Sequence, residues 1–226
     1  MNMEPTTTSP GRHLETRAEE WASSITHAIG LGLAVAGFYI LIGLCAAKGD
    51  VRRTVTLSLY GASLILLYLA STCFHACHPA KYQRAKHWLK IMDHVAIYAL
   101  ISGTYTPFLL VLVRGAWGWS LFAALWGLTA IGTFLKLFYV HRFERLSTSV
   151  YVLMGWLGCI AARPFLATVP LPAIGWLAAG GLLYTGGVIF FFWDRLPYNH
   201  AIWHLFVMAG SVCHFIAMLR YIAPVA

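Results

Sequence analysis

Seven stretches of this chain contain no aspartate, glutamate, lysine or arginine: residues 21–47, 54–80, 94–113, 115–135, 146–162, 164–193 and 196–219. A helix needs about 20 mostly apolar residues to cross the hydrocarbon of a bilayer. Six of the seven stretches reach that length, and the fifth does so if it continues past Arg163 with that side chain snorkelling to the surface. Inside lipid every backbone N–H and C=O must be paired within the protein, so long apolar stretches of this kind fold as helices. A soluble reading is excluded by the charge content, 11% against about 25% in soluble domains. The expected fold is therefore an all-α membrane protein, a seven-transmembrane-helix bundle. Residues 1–20 form a polar, frayed tail and residues 21–226 a single helical domain. The first twenty residues are polar and mixed in charge, unlike a cleavable signal peptide.

The formal charge is +8. The basic residues are scattered among short loops, which argues against nucleic acid as a partner and for the positive-inside rule. With the N-terminus in the cytoplasm, ten of the sixteen basic residues fall on the inner side and six on the outer. This orientation puts the C-terminus outside and makes the chain a multi-pass protein of the plasma (inner) membrane. The five cysteines, Cys45, Cys73, Cys77, Cys159 and Cys213, lie in or beside apolar stretches and are expected as free thiols.

The expected helices run over residues 21–47, 54–75, 90–113, 117–139, 148–162, 173–193 and 199–221. Their connections include a long inner loop from 76 to 87 with Pro79 as breaker, and an outer turn over 163–172. Pro107 should kink the third helix. The seventh helix opens with His200 and His204, four residues apart and thus on one helix face. The second ends with Ser71 and His75, again four apart, and the third begins with Asp93, a carboxylate inside an otherwise uncharged span. Alternation of helix direction brings all four titratable groups within about two turns of one membrane face. Three imidazoles and a carboxylate at a shared depth match a zinc site with three nitrogen ligands and an open position. Cys73 and Cys77 are the runner-up ligands, and His78 and His87 read as solvated. His27 reads either as a support of the site or, preferably, as an interfacial histidine. His214, ten residues beyond His204, is too deep to share a metal.

These residues resemble a known pattern. Glu20 with His27, Ser71-x-x-x-His75, Asp93-His94, and His200-x-x-x-His204 followed by Gly210-Ser211 and His214 look like a bacterial hemolysin III protein. The wider group contains the adiponectin and progestin membrane receptors. The resemblance implies a seven-helix fold with a cytoplasmic N-terminus and zinc held by His75, His200 and His204. It also implies that Asp93 contacts a zinc-bound water. In that chemistry Asp93 orients the water or takes its proton, and Ser71 hydrogen-bonds the water or a developing oxyanion. Related receptors are similar to alkaline ceramidases at this site. The leading expectation is therefore a zinc-dependent hydrolase of lipid amides or esters, its substrate's chains lying between helices. The alternatives are a receptor-like membrane-state sensor with a structural zinc, and a cytolytic pore.

Overall fold

The computed structural model describes residues 15–78, 81–140 and 142–223, and among them every regular element is helical. The expected tail falls mostly on residues 1–14 and the expected breaker on Pro79, both outside the described residues. Helix α1 spans Arg17–Ala46, so its first turn lies in what reads as tail. The reason is a capping box. Thr16 accepts from the Glu19 backbone N–H, while the Glu19 carboxylate accepts from the Thr16 N–H at 2.7 Å. Helix α2 spans Val51–Ala76 and is capped by Asp50, whose carboxylate accepts from the Arg53 N–H at 2.9 Å.

Helix α3 spans Gln83–Pro107, which shortens the expected 76–87 loop by nearly half. Pro107 has no N–H to continue the α-helical ladder, and the chain goes on as a π-helix over Phe108–Val113. The wider winding closes with the Arg114 N–H on the Leu109 carbonyl at 2.8 Å. Helix α4 spans Gly115–Tyr139, α7 spans Leu171–Phe191 and α8 spans Asn199–Tyr221. With α1, α2 and the α3–π unit they make, among the described residues, six helices long and apolar enough to cross a membrane.

The expected fifth helix and outer turn are both corrected. Residues 144–168 form α5 (Glu144–Gly155), a 3-10 turn (Leu157–Cys159) and α6 (Ala162–Thr168). Tyr105 of α3 serves the break. Its hydroxyl donates to the Gly155 carbonyl at 2.6 Å and accepts the Gly158 N–H at 3.0 Å, replacing bonds the interrupted helix no longer makes. Farther back on α3, the His94 carbonyl accepts from Tyr151 at 3.1 Å, and farther on, Phe165 of α6 packs edge-on to Tyr105. Residues 144–168 thus travel along α3 in the same direction as α3 itself.

The side-chain pattern is that of a lipid-embedded bundle. Ile29, Leu33, Phe134, Phe138, Leu182 and Ile189 are exposed, whereas Ser63, Ser102, Thr106 and Thr129 are buried. Ser102 and Thr129 hydrogen-bond at 2.7 Å and tie α3 to α4. The cysteines form no disulfide. Helices α7 and α8 touch closely at Gly180, where an added Cβ would meet the His214 ring and, at 3.0 Å, the Gly210 carbonyl. Gly180→Val is expected to cost about 1–3 kcal/mol by overpacking. The loss would show as a lower thermal midpoint in detergent; an unchanged midpoint contradicts the close crossing.

Candidate functional site

The starts of α1, α3 and α8 and the end of α2 meet at one end of the bundle. His75 occupies the last turn of α2, one turn after Ser71. His200 and His204 occupy the first two turns of α8. The entry to α8 is fixed by Tyr198, whose φ of +58° is unusual for a residue with a Cβ. Its backbone N–H donates to Glu19 at 2.9 Å, so the same carboxylate that caps α1 also anchors the start of α8.

One ring nitrogen from each of His75, His200 and His204 lies within 4.8 Å of the other two. His75 and His204 are 4% and 2% exposed, and His200 is half-buried. The Nδ1 atoms of His75 and His204 are directed to hydrogen-bond acceptors. His75 Nδ1 is 2.7 Å from Glu20 Oε2, and His204 Nδ1 is 3.0 Å from the Ser23 carbonyl oxygen. His200 Nδ1 is 3.5 Å from Glu15 Oε1. Carbonyls and ionised carboxylates only accept, so the Nδ1 of His75 and of His204 carries a proton, and in the neutral ring Nε2 is left with a lone pair. Among the described residues the Nε2 of His75 is buried without a hydrogen-bond partner. A buried nitrogen lone pair without a partner is unfavourable, and a cation shared with the two neighbouring imidazoles would satisfy it. Carboxylate and carbonyl partners on Nδ1 are the usual outer support of metal-binding histidines.

Glu20 is itself held. Its Oε1 accepts from Lys86 Nζ of α3 at 2.9 Å, and the same ammonium donates to the Phe74 carbonyl at 2.7 Å. Glu15, Glu20 and His75 form a second group whose potential ligand atoms lie within 4.8 Å of one another. Glu15 precedes the spanning helix, and partial burial pushes its carboxyl above the ordinary carboxylate range, an effect that His75 opposes.

The interfacial reading of His27 is corrected. It is 3% exposed and lies flat on the His204 ring, centroids 3.4 Å apart, with Tyr68 edge-on at 5.0 Å. It therefore fixes the position of the His204 ring from behind. Ser71 is buried, and its hydroxyl has no hydrogen-bond partner among the described residues. Asp93 is half-buried on α3, next to His94 in the chain. Among the described residues Asp93, Cys73, Cys77, His78 and His87 do not join the three-histidine group. His214 bonds the Leu177 carbonyl of α7 at 3.2 Å, a bond within the bundle. The roles of Glu15, Ser23 and Lys86 were not visible in the sequence. For Glu20 the signals were its place with His27 in the resemblance and its position at the mouth of an apolar helix, directly after Glu19.

Six membrane-length helices with a histidine cluster where their ends converge define a polytopic helical membrane protein with a candidate metal centre. The comparisons then give the family. The model for Haemolysin-III related proteins matches residues 15–215, and the chain belongs to that family. It is 45% identical to Hemolysin-3 of Bacillus cereus over 208 residues, covering 92% of this chain and 94% of the relative. It is 42% identical to a Hemolysin-3 homolog of Bacillus subtilis (strain 168), covering 93% and 97%. It is 30% identical to the human Monocyte to macrophage differentiation factor, covering 94% and 88%.

Proposed function

We propose that this protein crosses the plasma membrane seven times, binds zinc through His75, His200 and His204, and hydrolyses amide or ester bonds of membrane lipids. The seventh crossing is the broken segment 144–168. Because it follows α3 in direction, it returns the chain to the far end of the bundle before α7 begins. The N-terminus and the site then lie on the cytoplasmic side, where most of the basic residues fall.

The observation that carries the metal reading is the convergence of three imidazoles, two of them with Nδ1 tied to an acceptor. Neutral nitrogen donors suit zinc. When bound by three protein ligands, zinc supplies a Lewis acid with a further open position for a carbonyl or for water. The chain's own groups do the rest. Ser71, one turn from His75, donates its unpartnered hydroxyl to the developing negative charge on the substrate's carbonyl oxygen. As water adds to the carbonyl carbon, Asp93 accepts its proton at a carboxylate oxygen and returns it to the leaving nitrogen or oxygen as the C–N or C–O bond breaks. The lipid's chains lie among the helices while its scissile bond sits at the cytoplasmic end.

A structural metal in a receptor-like sensor is the second reading. It is favoured by the Glu20–Lys86 pair, which already links α1, α2 and α3 around His75. Against a cytolytic pore, the far end of the bundle packs Leu41, Leu57, Met218 and Ile222 at 1% exposure or less. Zinc-loaded protein in vesicles containing ceramide-like amides and ester lipids should release fatty acid, and His200→Ala should release none. A loaded wild type that releases nothing beside an active control hydrolase would leave the sensor reading in its place.

A further inference from the structure

His75 and His204 are almost completely buried, so an ion bound there must arrive by a defined route. A cavity reaches the His75 side of the cluster. It holds about 100 Å³ between the start of α1 and the end of α2, and Glu15, Glu20, His75, Cys77 and His78 line it. We propose that this pocket is the port through which a borderline-soft divalent cation reaches the three histidines, with Glu15 and Glu20 as its transit ligands. The inference rests on the metal reading above and adds the way in.

Three observations carry it. First, the port and the buried cluster share a wall. His75 belongs to both groups of convergent ligand atoms, with its Nδ1 on Glu20 and its unpartnered Nε2 turned to the other side of the ring. Glu15, at 3.5 Å from His200 Nδ1, touches a second imidazole of the cluster from the pocket side. Second, the volume admits about three waters at some 30 Å³ each, so an ion can enter partly hydrated and exchange water for carboxylate oxygen stepwise. Third, the charges suit passage. Two carboxylates draw a cation in, while Lys86 on Glu20 and Arg17 in the pocket wall offset their charge. A station that binds weakly lets the ion leave for the next one. The Cys77 thiol and His78 imidazole in the lining favour zinc-like ions over magnesium or calcium.

The competing role for Glu15 is orientation of His200 alone, and kinetics separate the two. A transit ligand lowers the barrier in both directions, so its loss slows loading and release by the same factor and leaves Kd unchanged. An orienting group changes Kd, mainly through release. The test is stopped-flow zinc uptake and chelator-driven release on the full chain in detergent, comparing wild type with Glu15→Gln. The port predicts that both rates fall about tenfold, a barrier change on the scale of one charge-assisted hydrogen bond, with Kd within about twofold. An altered Kd with unchanged loading, or no change in either rate, overturns the port and leaves the metal site standing. A wild type that takes up no zinc overturns the metal reading and the port with it. A second measurement needs no variant of the acidic residues. A methanethiosulfonate on Cys77 should block loading of wild type and have no effect on loading of Cys77→Ala; loading that survives modification of Cys77 also overturns the port.

Discussion

Alanine at His204 is expected to weaken zinc binding by two to three orders of magnitude. Structural zinc sites with a full ligand set bind with about 10–16 kcal/mol of apparent free energy. Shared among the ligands this is roughly 3–4 kcal/mol each, or two to three decades in affinity. His204 is the most enclosed of the three imidazoles, held by the Ser23 carbonyl on one edge and by the His27 ring on its face. Its removal therefore also leaves a void beside His27, and the thermal midpoint should fall with the affinity. His204→Gln keeps more of the volume and separates the two effects. It should recover part of the midpoint and little of the affinity. Competition against a chelating indicator reads the affinity directly, and an affinity within about threefold of wild type would remove His204 from the ligand set.

Glu20→Gln is expected to weaken binding by about 10–100-fold, the usual cost of losing an outer partner of a metal-binding histidine. The substitution keeps the side chain's shape and can still accept from His75 Nδ1. It loses the charge that makes the imidazole a stronger donor, and it strips Lys86 of its anion. Lys86 would then retain the Phe74 carbonyl alone among the partners it shares here. Because both residues act through one carboxylate, Lys86→Met should have a smaller effect in the Glu20→Gln background than alone. Equal effects in the two backgrounds would mean that Lys86 does not act through Glu20.

The parts of the fold that could be read in advance are those set by short-range chemistry. Lipid forces helices wherever charge is absent for long enough, and six of the seven apolar stretches became helices close to the expected limits. The exception shows what such reasoning lacks. The stretch 146–162 is apolar and free of proline, yet it breaks after Gly155, because Tyr105 on another helix is there to satisfy Gly155 and Gly158. That compensation is tertiary and leaves no local mark. Pro107 carried a local mark, but whether the helix would bend or widen into a π-turn was decided by packing.

The site divides in the same way. His200 and His204 share a face because of helical spacing, and His75 joins them because adjacent helices alternate in direction. Both facts are contained in the order of residues. The partners that turn the rings are not. Glu20 and Ser23 lie more than fifty residues from the histidines they hold, and the flat contact of His27 with His204 depends on how α1 leans on α8. An apolar span with a histidine near its end is equally compatible with an interfacial position, so the order of residues alone does not bring His27 onto His204. Asp93 stands at the expected end of α3, and its part in the chemistry rests on the proposal rather than on a contact with the cluster.

The most direct test of the three-histidine centre is X-ray absorption at the zinc edge on purified protein loaded to one zinc per chain. Ligation by His75, His200 and His204 predicts the scattering signature of three imidazoles at about 2.0–2.1 Å with at least one further light-atom ligand. Sulfur scatterers near about 2.3 Å would move the site to the cysteines. Failure to load a stoichiometric ion would contradict the centre itself.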